Sequence, residues 1–188
     1  MQSLLILDLD ETLIHARETP LERDADFRVF DYFVYTGPHL AQFLAECSSL
    51  FRLAVWSSAS DDYVREIVKR IIPSETRLEF TWGRSRCTFS LDRTRLEHDG
   101  YLDPSSHYAY AKKLHKVKRR GYSPARTLIV DDTPAKCIHN YGNAIYVREH
   151  KGQEDDSELL DLAKYLAALS SEPDVRKIEK RGWKNSPR

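Results

Sequence analysis

The sequence predicts an α/β domain with a parallel β-sheet. Short apolar runs typical of buried strands alternate along the chain with segments that carry helix caps or helical periodicity. Parallel strands need such alternation because helices join them. Of the 188 residues, 41% are hydrophobic, which is enough for one core. We expect a single domain over residues 1–169 with a small β insertion at about 84–104, followed by a weakly ordered tail over residues 170–188.

The first predicted strand lies in Leu4–Thr12, where an apolar run ends in Asp8, Asp10 and Thr12. Strand alternation directs the two aspartates to one side and Leu9 to the other. Ligands of open α/β sheets bind at strand ends. One aspartate can attack phosphorus while the other handles the proton of the leaving oxygen. The alternative interpretation is a solvated acidic turn.

A flap and a helix are predicted next. His15–Asp26 is polar and indicates a loop, whereas Phe27–Phe30 and Phe33–Tyr35 are typical of a β-hairpin. Pro38 suits the first turn of a helix that continues to Cys47. We expect the hairpin to cover the end of the first strand.

Another buried strand, Leu53–Trp56, is followed by small hydroxyl residues. Ser57, Ser58 and Ser60 and the free backbone N–H groups of this turn suit phosphate oxygens. Ser60 is also a plausible N-cap for a helix through Ile71. The alternative interpretation of these serines is helix capping alone.

The middle of the chain predicts a strand at Leu78–Trp82 and short extended pieces over Cys87–Leu102, with a turn at residues 99–100. We interpret these pieces as a small β insertion rather than a helical cap. Lys112 and Lys113 are predicted in a following helix, from which they can neutralise phosphate charge. Their alternative interpretation is a solvated helix face.

The strand Thr127–Val130 ends in Asp131 and Asp132. If this strand neighbours the first one, four carboxylates cluster at one edge of the sheet. A hard divalent cation is needed to hold such a cluster, and oxygen-only ligands suit Mg²⁺. The amphipathic stretch Glu158–Leu169 predicts a helix that closes the sheet.

The motifs at residues 8–15 (D-L-D-E-T-L-I-H), 38–40 (P-H-L), 131–134 (D-D-T-P) and 143–145 (N-A-I) resemble those of the haloacid dehalogenase superfamily. Within it, they are most similar to the branch of NLI-interacting-factor-type phosphatases of the RNA polymerase II C-terminal domain. The resemblance covers Leu4–Val147. It implies a Rossmann-like parallel sheet with helices on both faces, a hairpin flap after the first strand and no large cap.

The resemblance also implies roles for the acidic motifs. Asp8 is the nucleophile and an Mg²⁺ ligand, and it forms an aspartyl-phosphate. Asp10 protonates the leaving oxygen and then activates water, and its backbone carbonyl touches the metal. Thr12 steadies the loop that carries both, while Asp131 and Asp132 complete the metal site.

The phosphate-binding residues come from the other two motifs. The resemblance implies that Ser57 holds a phosphoryl oxygen, with Ser58 beside it. Lys112 is the preferred catalytic and phosphate-binding lysine, because the sequence from this residue to Leu114 best matches the family's Lys-x-Leu, and Lys113 is the second choice.

The function implied is an Mg²⁺-dependent phosphatase, with a phosphoserine or phosphothreonine of a protein favoured as substrate. About thirty residues separate the predicted strand Leu78–Trp82 from the lysines. This is too few for a large cap, so we expect a groove open to a macromolecule. Two departures from the polymerase-directed members, Gly37 where they usually have Arg and Ser60 where they often have an apolar residue, weaken a polymerase tail peptide as substrate.

Three alternatives remain from the sequence. The basic run Lys112–Arg120 allows a phosphatase for nucleic-acid ends, although a solvated helix face explains it as well. The other two are a phosphatase for a small metabolite and a binding module without turnover.

Composition and charge limit the partners, the disulfide content and the cellular location that we expect. The formal net charge is zero and the pI is about 7.1, so no global bias favours nucleic acid or membrane. Cys47, Cys87 and Cys137 are too far apart and too few for a disulfide framework or zinc site. The first strand starts near the first residue and no apolar run reaches transmembrane length, so we expect no signal peptide, no upstream domain and a cytoplasmic location. The oligomeric state is not predicted.

Overall fold

The computed structural model of the protein describes residues 2–91 and 108–185. Its strands are β1 (Leu4–Leu7), β2 (Ile14–Arg17), β3 (Phe27–Val29), β4 (Tyr32–Thr36), β5 (Arg52–Trp56), β6 (Leu78–Trp82), β7 (Thr88–Leu91), β8 (Tyr108–Ala111), β9 (Thr127–Asp131) and β10 (Ala144–Tyr146). Its α-helices are α1 (Leu40–Leu50), α2 (Asp61–Ile71), α3 (His115–Lys118), α4 (Pro134–Cys137) and α5 (Glu158–Leu169).

The central sheet has the strand order β10-β9-β1-β5-β6, and all its neighbouring strands pair in parallel. Leu7, at the end of β1, is in register with Val55 of β5 and Val130 of β9. The predicted parallel α/β sheet is therefore confirmed. The two strands that end in aspartates are neighbours, as the predicted carboxylate cluster required.

Alternate residues of the central strands enter two apolar layers. Leu5 and Leu7 of β1 pack in the layer that contains α1, α2 and α5. Leu4 and Ile6 pack in the opposite layer, which contains α3 and α4. Helices therefore cover both faces, which explains why these strands are apolar throughout rather than alternating.

Local signals fix helix α2. The Ser60 hydroxyl accepts a hydrogen bond from the Tyr63 N–H, and Asp61 and Asp62 lie in the first turn, where carboxylates favour the positive end of the helix. The predicted cap is confirmed, and so are the predicted bounds of α5.

The flap is a three-stranded antiparallel sheet with the order β2-β4-β3. The predicted hairpin is confirmed, but the segment predicted as a loop over His15–Asp26 begins with β2, which pairs with β4. The residues of β2 show no clear alternation of apolar and polar side chains, so the strand is not evident from the sequence. It forms by pairing with β4. Helix α1 begins at Leu40 and not at Pro38, because His39 has a left-handed backbone (φ 64°).

The insertion is a β-ribbon in the part that the structure describes. β7 and β8 pair antiparallel, with Thr88 opposite Ala111. This agrees with the predicted β character, while the predicted turn at residues 99–100 lies outside the described residues.

The C-terminal segment packs on the domain, so the predicted weak order is wrong for residues 170–185. Val175 and Trp183 are buried, and the Trp183 Nε1–H donates to the Tyr146 carbonyl at 2.8 Å. The Trp183 ring also lies 5.4 Å from the Tyr165 ring, between centroids. The segment covers the edge strand β10. Its apolar residues are too sparse to show a pattern, and only this surface gives them a place to be buried.

Among the residues that the structure describes, no helix combines the length and the apolar character that crossing a bilayer needs. The three cysteines are buried and carry free thiols. The division of the chain at residue 169 stays a prediction.

We expect Lys180→Met to destabilise the protein. The buried Lys180 ammonium donates to the carbonyls of Gly142, Val175 and Ile178 at 2.9, 2.5 and 2.8 Å. Without it, three carbonyls lose a charged donor, so the free energy of unfolding should fall by about 2 kcal/mol in denaturant titrations. The exposed Lys177→Met is the control, with an expected change within about 0.5 kcal/mol. Equal effects of the two substitutions would contradict this account.

Candidate active site

The carboxyl ends of β1 and β9 bring two aspartates together. Asp8 follows β1, and its N–H donates to the Val130 carbonyl at 3.1 Å. Asp131 is the last residue of β9, and both aspartates are almost completely inaccessible to solvent. Because the strands are parallel neighbours, their acidic ends meet at the same edge of the sheet.

Three carboxylates at this edge can hold a cation. One oxygen from each of Asp8, Asp131 and Asp132 lies within 4.8 Å of the other two. Asp132 Oδ1 is buried and accepts no hydrogen bond within the described part of the chain. A buried carboxylate oxygen without a hydrogen-bond donor, in an oxygen-only set, fits a hard divalent cation such as Mg²⁺.

Two ammonium groups lie among these carboxylates. Lys112 Nζ is 2.8 Å from Asp8 Oδ2 and 2.6 Å from Asp131 Oδ2. Lys136 Nζ is 3.1 Å from the same Asp8 oxygen, 3.8 Å from Asp131 Oδ1 and 3.6 Å from Asp132 Oδ1. Three negative and two positive charges leave this cluster with a net negative charge.

The pKa values of the two strand-end aspartates, Asp8 and Asp131, shift in opposite directions. Burial by itself raises the pKa of Asp8, but the charges of Lys112 and Lys136 outweigh burial and hold this pKa below its usual value. Burial and the neighbouring Asp8 charge raise the pKa of Asp131. Asp8 is therefore the member of the pair that stays ionised most readily.

Lys112 reaches the cluster from a strand and not from a helix, so its predicted helical context is wrong. It directly follows β8, and its N–H donates to the Lys136 carbonyl at 2.7 Å. The Asn140 side chain holds both ends of the turn, donating to the Lys112 carbonyl and accepting from the Leu114 N–H. Pairing of β8 with β7 overrides the helical propensity of this segment.

Asp10 occupies a different environment from Asp8. Its Oδ1 accepts a hydrogen bond from the Tyr63 hydroxyl at 2.7 Å, and its Oδ2 lies 3.4 Å from the Ser57 hydroxyl. Burial raises the pKa of Asp10 above its usual value, although the Tyr63 hydrogen bond opposes this effect. Leu9, between the two aspartates, is completely buried in the core, as strand alternation predicted.

The other predicted site residues take varied positions. Ser57 is buried at the end of β5 beside Asp10, whereas Ser58 contributes its carbonyl to the Arg84 guanidinium. The Thr12 N–H donates to the Leu9 carbonyl, but its hydroxyl has no partner among the described residues.

Lys113 is partly exposed, and no ion pair joins it to the three clustered carboxylates. The geometry therefore favours Lys112 over Lys113. The catalytic roles of all these residues stay predictions.

Sequence reasoning missed Lys136 and Tyr63. Lys136 follows Asp132 by four residues, and Pro134 marks the start of the short helix between them, so helical spacing was the available signal. Tyr63 is the third residue after the Ser60 cap, in the first turn of a helix that begins at the loop predicted to bind phosphate. Asn140 left no signal, because its role depends on the position of Lys112.

A cleft of about 450 Å³ opens beside Asp10. It is lined by residues from the flap, the β5–α2 turn and the start of the insertion: Asp10, Ala16, Phe30, Tyr32, Ala59, Ser60, Tyr63 and Arg84. A larger cleft of about 560 Å³ lies between the flap and the helices α1 and α2, and none of the predicted site residues lines it. The cleft beside Asp10 is the candidate substrate entrance, because Asp10 is part of its wall.

Comparison with known proteins identifies the family. The model of the NLI interacting factor-like phosphatase family matches residues 3–176. The chain belongs to this family. The membership inferred from the motifs is thereby confirmed. Curated relatives of the chain include the human CTD small phosphatase-like protein, 27% identical over 179 residues, covering 91% of this chain and 57% of that protein.

Other relatives and a solved structure agree. Human carboxy-terminal domain RNA polymerase II polypeptide A small phosphatase 2 is 29% identical, covering 91% of this chain and 58% of that protein. The CTD small phosphatase-like protein 2 of Dictyostelium discoideum is 27% identical, but only 28% of its length is matched. The chain thus spans from about a quarter to about three fifths of these relatives.

The structure of Fcp1, an essential RNA polymerase II CTD phosphatase, superposes with a TM-score of 0.66 at 16% identity, covering 94% of this chain and 69% of that chain. At this identity the likeness establishes the fold.

We expect Lys112→Met to destabilise this family member more than Lys113→Met. Removing the fully buried Lys112 ammonium leaves Asp8 and Asp131 under-compensated, at a cost of about 3 kcal/mol in the free energy of unfolding at pH 7 in EDTA. Lys113→Met should change it by less than about 0.5 kcal/mol. Adding Asp131→Asn to the first variant should recover part of the loss, because one of the uncompensated charges is removed. A larger loss in Lys113→Met would contradict the assignment.

Proposed function

We propose that this chain is an Mg²⁺-dependent phosphatase for phosphoserine or phosphothreonine in proteins, acting through an aspartyl-phosphate. One observation supports this proposal above all: two aspartates separated by a single residue have different surroundings. Asp8 lies between two ammonium groups, which lower its pKa, whereas Asp10 lies partly buried beside Ser57 and Tyr63, where burial raises its pKa. Such divergence suits a nucleophile and a general acid.

In the first step, a carboxylate oxygen of Asp8 forms a bond to phosphorus while the bond from phosphorus to the leaving oxygen breaks. Asp10 gives its proton to that leaving oxygen, so a neutral alcohol departs. Ser57 is placed beside Asp10 to bind a phosphoryl oxygen, and Lys112 neutralises negative charge at the reacting centre.

In the second step, the Asp10 carboxylate takes a proton from water, and the water oxygen attacks phosphorus. The bond between phosphorus and the Asp8 oxygen breaks, which releases inorganic phosphate and restores the Asp8 carboxylate. Asp10 is protonated again, ready for the next cycle. The Tyr63 hydrogen bond holds Asp10 in one orientation through both steps.

Mg²⁺ fits the oxygens of Asp8, Asp131 and Asp132, with the Asp10 backbone carbonyl as the further ligand that the resemblance implies. Bound there, it would reduce the repulsion between the anionic nucleophile and the anionic phosphate.

A phosphoprotein substrate is supported by the names of the relatives, which are CTD phosphatases. The cleft beside Asp10 is open and lined by Phe30 and Tyr32 of the flap, which suits a peptide side chain better than an enclosed metabolite. Ser60 lines the same cleft, so its wall is more polar than the apolar residue usual in the family would make it. A cytoplasmic location stays a prediction from the sequence.

Part of the basic run Lys112–Arg120 is engaged within the fold, whereas Lys118, Arg119 and Arg120 are exposed. Lys112 belongs to the carboxylate cluster, and Lys116 Nζ donates to the Arg86 carbonyl at 2.8 Å. The Arg120 guanidinium lies against aromatic rings of β6. The exposed Lys118 and Arg119 keep the nucleic-acid alternative open, and the substrate panels below test it.

The proposal predicts Mg²⁺-dependent hydrolysis of an aryl phosphate that Asp8→Asn lowers by at least about 10³-fold, because the nucleophile is lost. Phosphate release is measured with Mg²⁺ and with EDTA. Acid-quenched wild-type protein should carry one phosphoryl group on Asp8 by peptide mass spectrometry. Turnover that is equal in Asp8→Asn would contradict the nucleophile assignment. A folded protein without turnover on any phosphate ester would favour a binding module.

Panels of phosphorylated substrates then distinguish protein, nucleic-acid and small-molecule specificity. Phosphoserine and phosphothreonine peptides should be hydrolysed with a higher kcat/KM than 3′- or 5′-phosphorylated oligonucleotides or small phosphorylated metabolites. The opposite ranking would sink the phosphoprotein assignment while leaving the catalytic one intact.

We expect Tyr63→Phe to affect poor leaving groups most. The variant removes the hydrogen bond that orients Asp10, so proton donation to the leaving oxygen suffers. For an alkyl phosphate or phosphoserine peptide, kcat should fall by about 10²-fold, and for a nitrophenyl phosphate, which needs little protonation, by much less. Tyr32→Phe, in the same cleft, is the control. An equal loss on both substrates would contradict a role through Asp10.

A further inference from the structure

Lys136 lies where its ammonium meets all three carboxylates that fit a divalent cation. Its Nζ is 3.1 Å from Asp8 Oδ2, 3.6 Å from Asp132 Oδ1 and 3.8 Å from Asp131 Oδ1. By contrast, the ion pairs of Lys112 reach Asp8 and Asp131 only. Lys136 is thus the cation that shares the whole predicted ligand set of the metal.

The backbone and the side chain of Lys136 are held differently. The backbone is anchored, because its carbonyl accepts the Lys112 N–H at 2.7 Å and its N–H donates to Thr133. The side chain is 21% exposed, whereas that of Lys112 is fully buried. A long flexible stem at the rim can move its ammonium into solvent without disturbing the fold, which Lys112 cannot do.

The charges make Lys136 and a metal rivals for the same oxygens. Asp8 Oδ2 has Lys112 at 2.8 Å as well as Lys136 at 3.1 Å, so its negative charge is already compensated from two sides. A divalent cation that binds these carboxylates meets the repulsion of the Lys136 ammonium less than 4 Å from each of them.

We propose that Lys136 is a tethered competitor of the divalent cation and sets the affinity of the metal site. This inference rests on the proposed function, because it takes the three carboxylates as the metal ligands. The ammonium compensates the buried carboxylates at low metal concentration and moves toward solvent when the metal binds. Lys136 is a positioning residue in this account, acting on the metal site rather than on the reacting atoms.

Isothermal titration calorimetry with MgCl₂ in the absence of substrate tests the proposal. Lys136→Met keeps the apolar stem and removes the charge, and it should bind Mg²⁺ about tenfold more tightly than the wild type. Lys136→Arg keeps the charge and should stay near the wild type. Lys113→Met, close in sequence but without an ion pair to the three carboxylates, should leave the affinity unchanged.

Thermal unfolding covers the case in which Lys136→Met folds poorly. In EDTA this variant should have a lower Tm than the wild type, because three carboxylates, two of them buried, lose a partner. Excess Mg²⁺ should raise its Tm by more than it raises that of the wild type, because the metal replaces the missing charge. A smaller Mg²⁺-induced rise, or an affinity equal to or weaker than that of the wild type, would overturn the proposal.

The same titrations separate this inference from the proposed function. If neither the wild type nor any variant binds Mg²⁺, the metal-dependent mechanism itself fails. If the wild type binds Mg²⁺ and Asp132→Asn abolishes binding, the metal site stands. The result for Lys136→Met then decides the role of Lys136 alone.

Discussion

The ion pairs of one fully buried lysine hold the site together. Lys112 lies between Asp8 and Asp131, with Nζ–oxygen distances of 2.8 and 2.6 Å, at the point where two parallel strands end. Charges without access to water are stable only when they are paired, so removing any one of these three residues leaves an under-compensated buried charge. The pairing joins the end of β1, the residue after β8 and the end of β9, which are far apart along the chain. Its contribution is therefore to specify the arrangement rather than to add much stability.

The sheet order turns this constraint into a site. The chain continues from the central strand β1 to β5 and β6 on one side, and it then returns to place β9 and β10 on the other. Sheets of this kind leave a crevice at such a reversal. Asp8 and Asp131 flank that position, and Ser57 approaches from β5. Asp8 and Asp10 thus acquire different surroundings, although one residue separates them in sequence. Asp8 lies among ammonium groups and Asp10 lies beside hydroxyl groups, which suits the different chemical tasks that we propose for them.

The surroundings of the site bear on its substrate. The flap and the β-ribbon insertion border an open cleft instead of enclosing a small molecule, as far as residues 2–91 and 108–185 show. Ser60 has two roles, because it caps helix α2 and lines this cleft. A Cβ atom at Gly37, the other departure from the family pattern, would lie 3.1 Å from both the Leu13 carbonyl oxygen and Leu159 Cδ1, so a side chain there requires these neighbours to shift. One departure therefore concerns the substrate, and the other concerns packing.

The sequence by itself determined the parallel sheet, the α2 cap and the acidic strand ends, because strand hydrophobicity, caps and Asp8 or Asp131 at a strand terminus are local patterns. Only the tertiary structure decided that Lys112 follows a strand, because the pairing of β7 with β8 outweighs its helix-favouring neighbours. It also decided the order of the C-terminal segment, since Trp183 has no burial surface until α5 and β10 supply one. Lys136 lies between these cases: its helical spacing from Asp132 is local, but its contact with Asp8 exists only where the two strands meet.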